Sequence, residues 1–118
     1  ELEGFGKVHK ERLIDKIKSN NQSIHAYGAS TKGNVLLQYF NIGREHIDFV
    51  ADRNPKKFNY YTPGTKIKII SEKKSRKISP NYYLVLPWHF RKEILKREKL
   101  TIKKGSKFIF PLPKLKIC

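Results

Sequence analysis

Ile24-His25-Ala26-Tyr27-Gly28-Ala29-Ser30-Thr31-Lys32-Gly33-Asn34 is the stretch that decides the fold, together with the block Val35-Leu36-Leu37-Gln38-Tyr39-Phe40 into which it runs. A short apolar run that breaks on small residues and restarts at helical spacing predicts strand, glycine turn and helix. The first turn of a helix leaves its N–H groups without intrahelical partners, so this arrangement offers them to an anion. Strand one is expected over Ile24–Tyr27 and the helix over Thr31–Phe40. Ser30 or Thr31 can cap the helix start, and Gly43, closing Asn41-Ile42-Gly43, is the natural stop.

Working outward, the stretch from Val8 to Asn20 sets Leu13, Ile14 and Ile17 against Lys10, Glu11, Asp15, Lys16 and Lys18, the pattern of an amphipathic helix. Ser19-Asn20-Asn21-Gln22-Ser23 is a polar stop. Downstream, Ile47–Asp52 reads as a second strand ending on an acid. Asp52 lies 24 residues after Gly28, close to the offset of about 20 at which an acid reaches a ribose hydroxyl. Residues 53–64 carry Asn-Pro and Pro-Gly and read as loop. Lys66–Ile70 gives a third strand, and Lys73-Lys74-Ser75-Arg76-Lys77 a solvated basic linker.

Tyr82-Tyr83-Leu84-Val85-Leu86 is a continuous apolar run, as expected of an interior parallel strand covered on both faces. After Pro87, Trp88-His89-Phe90 opens a helix through Leu100 that buries Phe90, Ile94 and Leu95. Lys107–Phe110 is the last strand, closed by Pro111. Strands alternating with helices imply right-handed crossovers and a mostly parallel sheet of about five strands, a Rossmann-like three-layer α/β fold.

At 118 residues the chain is long enough for one core, so a single domain is expected: residues 1–23 a leading helix and linker, 24–113 the sheet-forming core. An apolar fraction of 38% argues against disorder despite the charge. No apolar run spans a membrane, and Glu1-Leu2-Glu3-Gly4-Phe5 lacks the layout of a signal peptide. A single cysteine, Cys118, leaves no internal disulfide or multi-cysteine metal site and suits a reducing cytoplasm. A start without Met, inside charged sequence, reads as a piece of a longer chain. The net charge of +16 attracts anions in general. It comes mostly from dispersed lysine, with no arginine cluster and no interleaved aromatics, and reads as solvated surface ahead of specific nucleic-acid binding.

Ligands of such a sheet collect outside the carboxyl ends of the strands. Gly28–Asn34, Asp52-Arg53-Asn54 and Pro87-Trp88-His89 are expected to converge there. First-turn N–H groups with Lys32 could neutralise a phosphate, Asp52 could accept from sugar hydroxyls, and Trp88 or Tyr27 could stack on a ring. Each also has a structural reading. Gly28 and Gly33 permit a tight turn and close packing, Asp52 caps the turn at Asn54-Pro55, Lys32 is solvated, and Trp88 packs. His9, His25 and His46 read as structural or exposed, whereas His89 is the one histidine at the predicted rim, where acid–base work is open to it. No nucleophile–base pair, G-x-S-x-G or metal-ligand spacing is present, so no catalytic residue or metal ligand is assigned.

Five ordered blocks carry a resemblance: Tyr27-Gly28-Ala29-Ser30-Thr31-Lys32-Gly33-Asn34-Val35-Leu36-Leu37; Ile47-Asp48-Phe49-Val50-Ala51-Asp52-Arg53-Asn54-Pro55-Lys56-Lys57; Pro63-Gly64-Thr65-Lys66-Ile67; Leu86-Pro87-Trp88; and Gly105–Pro113. In register they resemble the C-terminal domain of the SAM-dependent C-methyltransferases that act on nucleotide-linked deoxysugars. The G-A-x-x-K-G turn falls on Gly28, Ala29, Lys32 and Gly33, the D-R-N-P-x-K block on Asp52, Arg53, Asn54, Pro55 and Lys57, and P-W on Pro87-Trp88. The chain departs from the pattern at Ser30 and His89, where the family commonly has Pro and Asn. The resemblance implies a module that holds the nucleotide sugar, dTDP-linked or similar. A zinc-binding domain and a SAM-binding domain upstream in the same chain would supply cofactor and general base, so this part binds without turnover. The residues also leave room for a stand-alone dinucleotide- or CoA-binding domain and for a basic nucleic-acid-binding domain.

Overall fold

A computed structural model describes residues 2–112 and 114–118, with the backbone alone for residues 2–9; Pro113, at the end of the expected core, lies outside the described residues. In chain order the elements are α1 (Leu2–Ser19), β1 (Ile24–Tyr27), α2 (Thr31–Tyr39), β2 (Phe49–Asp52), β3 (Ile69–Ser71), α3 (Glu72–Ile78), β4 (Tyr82–Val85), α4 (Arg91–Arg97), α5 (Lys99–Lys103), β5 (Lys107–Phe110) and β6 (Lys116–Ile117). Short 3₁₀ turns occupy Pro55–Lys57 and Trp88–Phe90.

The sheet runs β3-β2-β1-β4-β5-β6. Its first five strands are parallel, and β6 returns antiparallel along β5. That is the doubly wound order, in which the chain leaves β1 in one direction and comes back on its other side as β4. Registers Tyr27↔Ala51 and Tyr27↔Val85 bring the carboxyl ends of β2, β1 and β4 level with one another.

Period-two alternation explains why both faces are covered. Ile24, Ala26, Val50, Leu84 and Ile109 face α1 and α2, which contribute Ile14, Ile17 and Leu37. Tyr27, Ala51, Tyr83, Val85, Phe108 and Phe110 face the other way, against Ile94 of α4. The result is the three-layer α/β arrangement that the strand–helix alternation predicts.

Several local expectations are corrected. The run Lys73–Lys77 is no linker: it forms α3, because Ser71 caps the start by accepting from Lys74 N–H at 3.0 Å and Ser79 closes the end with φ +64°. Gly43 is not the stop of α2; Asn41 takes the left-handed conformation with φ +55°, a role for which asparagine is the usual substitute for glycine. The expected helix Trp88–Leu100 is a 3₁₀ turn followed by two short helices that break at Glu98, and Phe90, expected to be buried, is 50% exposed. The sheet, expected to have about five strands, has six among the described residues. The leading helix begins at Leu2 rather than Val8, and the second and third strands start later than expected, at Phe49 and Ile69.

On the α3–α4 face the core contains polar groups. His25, fully buried, meets Ser75 Oγ through Nδ1 at 2.6 Å, and Ser75 Oγ meets Tyr83 OH at 2.8 Å. His25 Nε2 has no partner, and the ring stands edge-on to Phe49 and Tyr83. Burial therefore disfavours the imidazolium, and the pKa falls from 6.5 to about 4 although Asp48 pulls it upward. The unfolded chain takes up this proton near pH 6.5 and the native chain resists it until about pH 4, so stability falls as pH drops through that window. Urea unfolding should show a loss of about 2 kcal/mol between pH 7 and pH 4.5 that His25→Leu removes. An unchanged pH slope in that variant would contradict this account of the buried ring.

Candidate functional site

The chain reverses at the carboxyl end of β1 through Gly28, whose φ is +97°, a region that side-chain-bearing residues seldom occupy. Its N–H donates to Ala51 carbonyl at 2.8 Å, tying the turn to β2. On the other side a Cβ at Gly28 would lie 2.8 Å from Pro87 Cδ. The turn is thus pressed between β2 and the segment after β4. Gly33, in the first turn of α2, lets the helix backbone approach the segment just after β4: a Cβ there would meet Leu86 Cβ at 2.8 Å.

Asp52 joins the first and second loops. Its Oδ1 accepts from Ala29 N–H at 2.9 Å and its Oδ2 from Asn54 N–H at 3.0 Å. Lys57 Nζ donates to Ala29 carbonyl at 2.8 Å, and Asn54 Oδ1 caps the 3₁₀ turn by accepting from Lys56 N–H at 3.1 Å. The carboxylate therefore acts as an internal anion for the turn, one of the two uses its position suggested.

Ser30 caps α2, accepting from Gly33 N–H at 3.0 Å through its hydroxyl. Asn34 N–H goes to Ser30 carbonyl, which leaves the N–H groups of Thr31 and Lys32 without a partner among the described residues. Ser30, Thr31 and Lys32 are all exposed. So are Arg53, Asn54 and His89, while Trp88 is half-buried against the aromatic core. A concavity of about 330 Å³ opens beside them, lined by Trp88, His89, Arg91, Lys92, Glu93 and Leu112.

Two expected site residues lie elsewhere. Tyr27, 3% exposed, points into the core and spends its hydroxyl on Glu98 at 2.7 Å, with Arg97 donating to it at 2.6 Å. Burial, first of all, raises its pKa, and no face of the ring is free to stack on a ligand. Asn34 is turned toward residues 62–65: its Nδ2 donates to Pro63 carbonyl at 2.7 Å and its Oδ1 accepts from Thr65 at 2.6 Å. Arg91 and Lys92 line the concavity beside Trp88, and nothing sets them apart from their neighbours in a lysine-rich sequence, whereas Lys57, part of the D-R-N-P-x-K block, ties its loop to Ala29. Among the described residues no group of three or more side chains could hold a metal ion, and no helix is long and apolar enough to cross a membrane.

Fold and loops define an α/β domain whose glycine turn, acid-ended second strand and Pro-Trp segment meet at the switch point of the sheet. The chain belongs to the C-methyltransferase C-terminal domain family, whose model matches residues 7–113. It is 32% identical over 105 residues to the C-methyltransferase NovU of Streptomyces niveus, a match that covers 89% of this chain and 25% of that protein. The chain therefore spans about a quarter of the length of this relative.

Proposed function

We propose that this domain is the substrate-binding module of a SAM-dependent C-methyltransferase acting on a nucleotide-linked deoxysugar. The observation that carries the reading is the meeting of Gly28, Asp52 and Pro87 at the switch point, with two unpaired helix-start N–H groups and exposed Lys32 and Arg53 around it. Helix-start N–H groups and a cation favour a diphosphate. The half-buried Trp88 offers an aromatic surface to the sugar or base. Asp52 holds Ala29 and Asn54 N–H groups with both oxygens, so the contacts to sugar hydroxyls fall to the exposed amide of Asn54 and to His89. The same occupation of Asp52 argues against a dinucleotide held through its ribose.

SAM, zinc and the general base belong in this reading to other domains of a longer cytoplasmic protein, and the present chain orients substrate for them. Isothermal titration should show saturable binding of dTDP or UDP. Replacing Lys32 by alanine should weaken it about tenfold, the share of one charge-assisted contact. No heat with either nucleotide, or tight NAD binding with indifference to dTDP, would sink the proposal.

A further inference from the structure

Away from the switch point, α3 and the α4–α5 pair flank a groove of about 380 Å³ lined by Arg76, Ser79, Arg97, Leu100, Thr101 and Lys104, within the size range of small-molecule sites. Ser79 precedes β4 and Lys104 precedes β5, so the groove opens toward the amino ends of the strands, the end opposite Gly28.

Its two arginines are held from beneath. Glu98, 1% exposed, accepts from Arg76 Nε at 2.9 Å and from Arg76 Nη2 at 2.6 Å, and also from Tyr27 OH and Thr101 Oγ1. Burial by itself would raise the Glu98 pKa, but these donors outweigh it and hold the carboxyl below its ordinary value. Arg97 spends Nε and Nη2 on Tyr27 OH, at 3.2 and 2.6 Å. Glu72 stands against Arg76 Nη2 at 3.1 Å and Arg97 Nη2 at 3.7 Å. Nη1 of both arginines, Lys104 Nζ and Ser79 Oγ remain without partners among the described residues.

We propose that this groove is a second ligand site, taking the phosphate group of a small phosphorylated molecule. Two guanidinium groups locked in place by buried partners present their unused nitrogens with little ordering left to lose. Guanidinium matches phosphate oxygens in geometry, and a free ammonium and a hydroxyl complete the set of donors. Three cations face two carboxylates already engaged, so the groove remains positive toward a ligand. Leu100, 70% exposed, supplies an apolar wall on which the organic part of such a molecule can lie.

The test is a ¹H–¹⁵N titration of the full chain with inorganic pyrophosphate and then with ADP at about 150 mM salt, where surface attraction is screened beyond roughly 8 Å. Saturable shifts are expected at the amides of Ser79, Thr101 and Lys104. Lys104→Glu, on an exposed side chain that carries no part of the fold, should raise Kd about tenfold. Lys32→Ala should leave this binding unchanged, which separates it from the switch-point site. Tighter binding of ADP than of pyrophosphate assigns the organic group to Leu100, and equal binding identifies phosphate alone as the ligand; both support the site. Shifts that spread over the lysine surface without saturating overturn the proposal. So does binding mapped only to Gly28–Asn34 that Lys104→Glu leaves untouched.

Discussion

Replacing Glu98 by alanine is expected to lower the unfolding free energy by about 3 kcal/mol, the lower end of what breaking a buried charge network costs. One side chain at the break between α4 and α5 accepts four hydrogen bonds, from Arg76 twice, Tyr27 and Thr101. Without it, Arg76 and Arg97 keep access to water, since their side chains are 38% and 36% exposed. That access keeps the cost below the upper range. Tyr27 OH loses its acceptor but retains Arg97, while the space of the lost carboxylate adds a cavity term. The stability difference is read from urea unfolding followed by circular dichroism. A loss under about 1 kcal/mol, typical of a surface pair, would show that the network contributes little.

Gly28→Ala is the second large effect. A residue with a Cβ at φ +97° pays of order 1–2 kcal/mol in backbone strain. The new methyl would also sit 2.8 Å from Pro87 Cδ, on a ring with little freedom to move, and overpacking of this kind costs about 1–3 kcal/mol. Both terms have the same sign, so Tm should fall by on the order of 10 °C. Gly105→Ala is the internal control. Its φ is +117° but nothing lies within 4 Å of the added carbon, so only the backbone term applies there. Equal losses at the two positions would contradict the close approach of Gly28 to Pro87. Because Trp88 follows Pro87, Gly28→Ala should also weaken nucleotide binding.

The glycine turn was legible because its flanks differ so plainly: a strand-forming run in which Ile24, Ala26 and Tyr27 are apolar, small residues at 28–30, then a helix start with a serine cap. The strands Ile24–Tyr27 and Lys107–Phe110 have the bounds that their apolar runs indicate. Helix α3 was hidden because its buried side is made by Ser75, with no apolar spacing along Glu72–Ile78, and its signals are the caps Ser71 and Ser79. Glu98 was hidden for a related reason. A lone acid among lysines and arginines looks like surface, and only the fold brings Arg76 and Tyr27 to it. The depth of Tyr27 follows from strand alternation. A residue that faces the aromatic layer cannot also face the loops, and position 27 lies on the side of Tyr83 and Phe108. Strand β6, two residues long, carries no pattern of its own and forms by pairing with β5.

The domain thus divides its polar chemistry between two ends. At the carboxyl ends of the strands a clasped glycine turn leaves the N–H groups of Thr31 and Lys32 without partners among the described residues, beside the exposed side chains of Lys32 and Arg53. On the far side of the sheet an internal carboxylate holds two arginines at the lip of a groove. Nucleotide binding at the first end is tested most directly by mapping amide shifts of the chain on titration with dTDP. Saturable shifts confined to Ser30–Gly33, Arg53-Asn54 and Trp88-His89 are predicted. Saturation without movement of those amides, or no saturation at all, would contradict it.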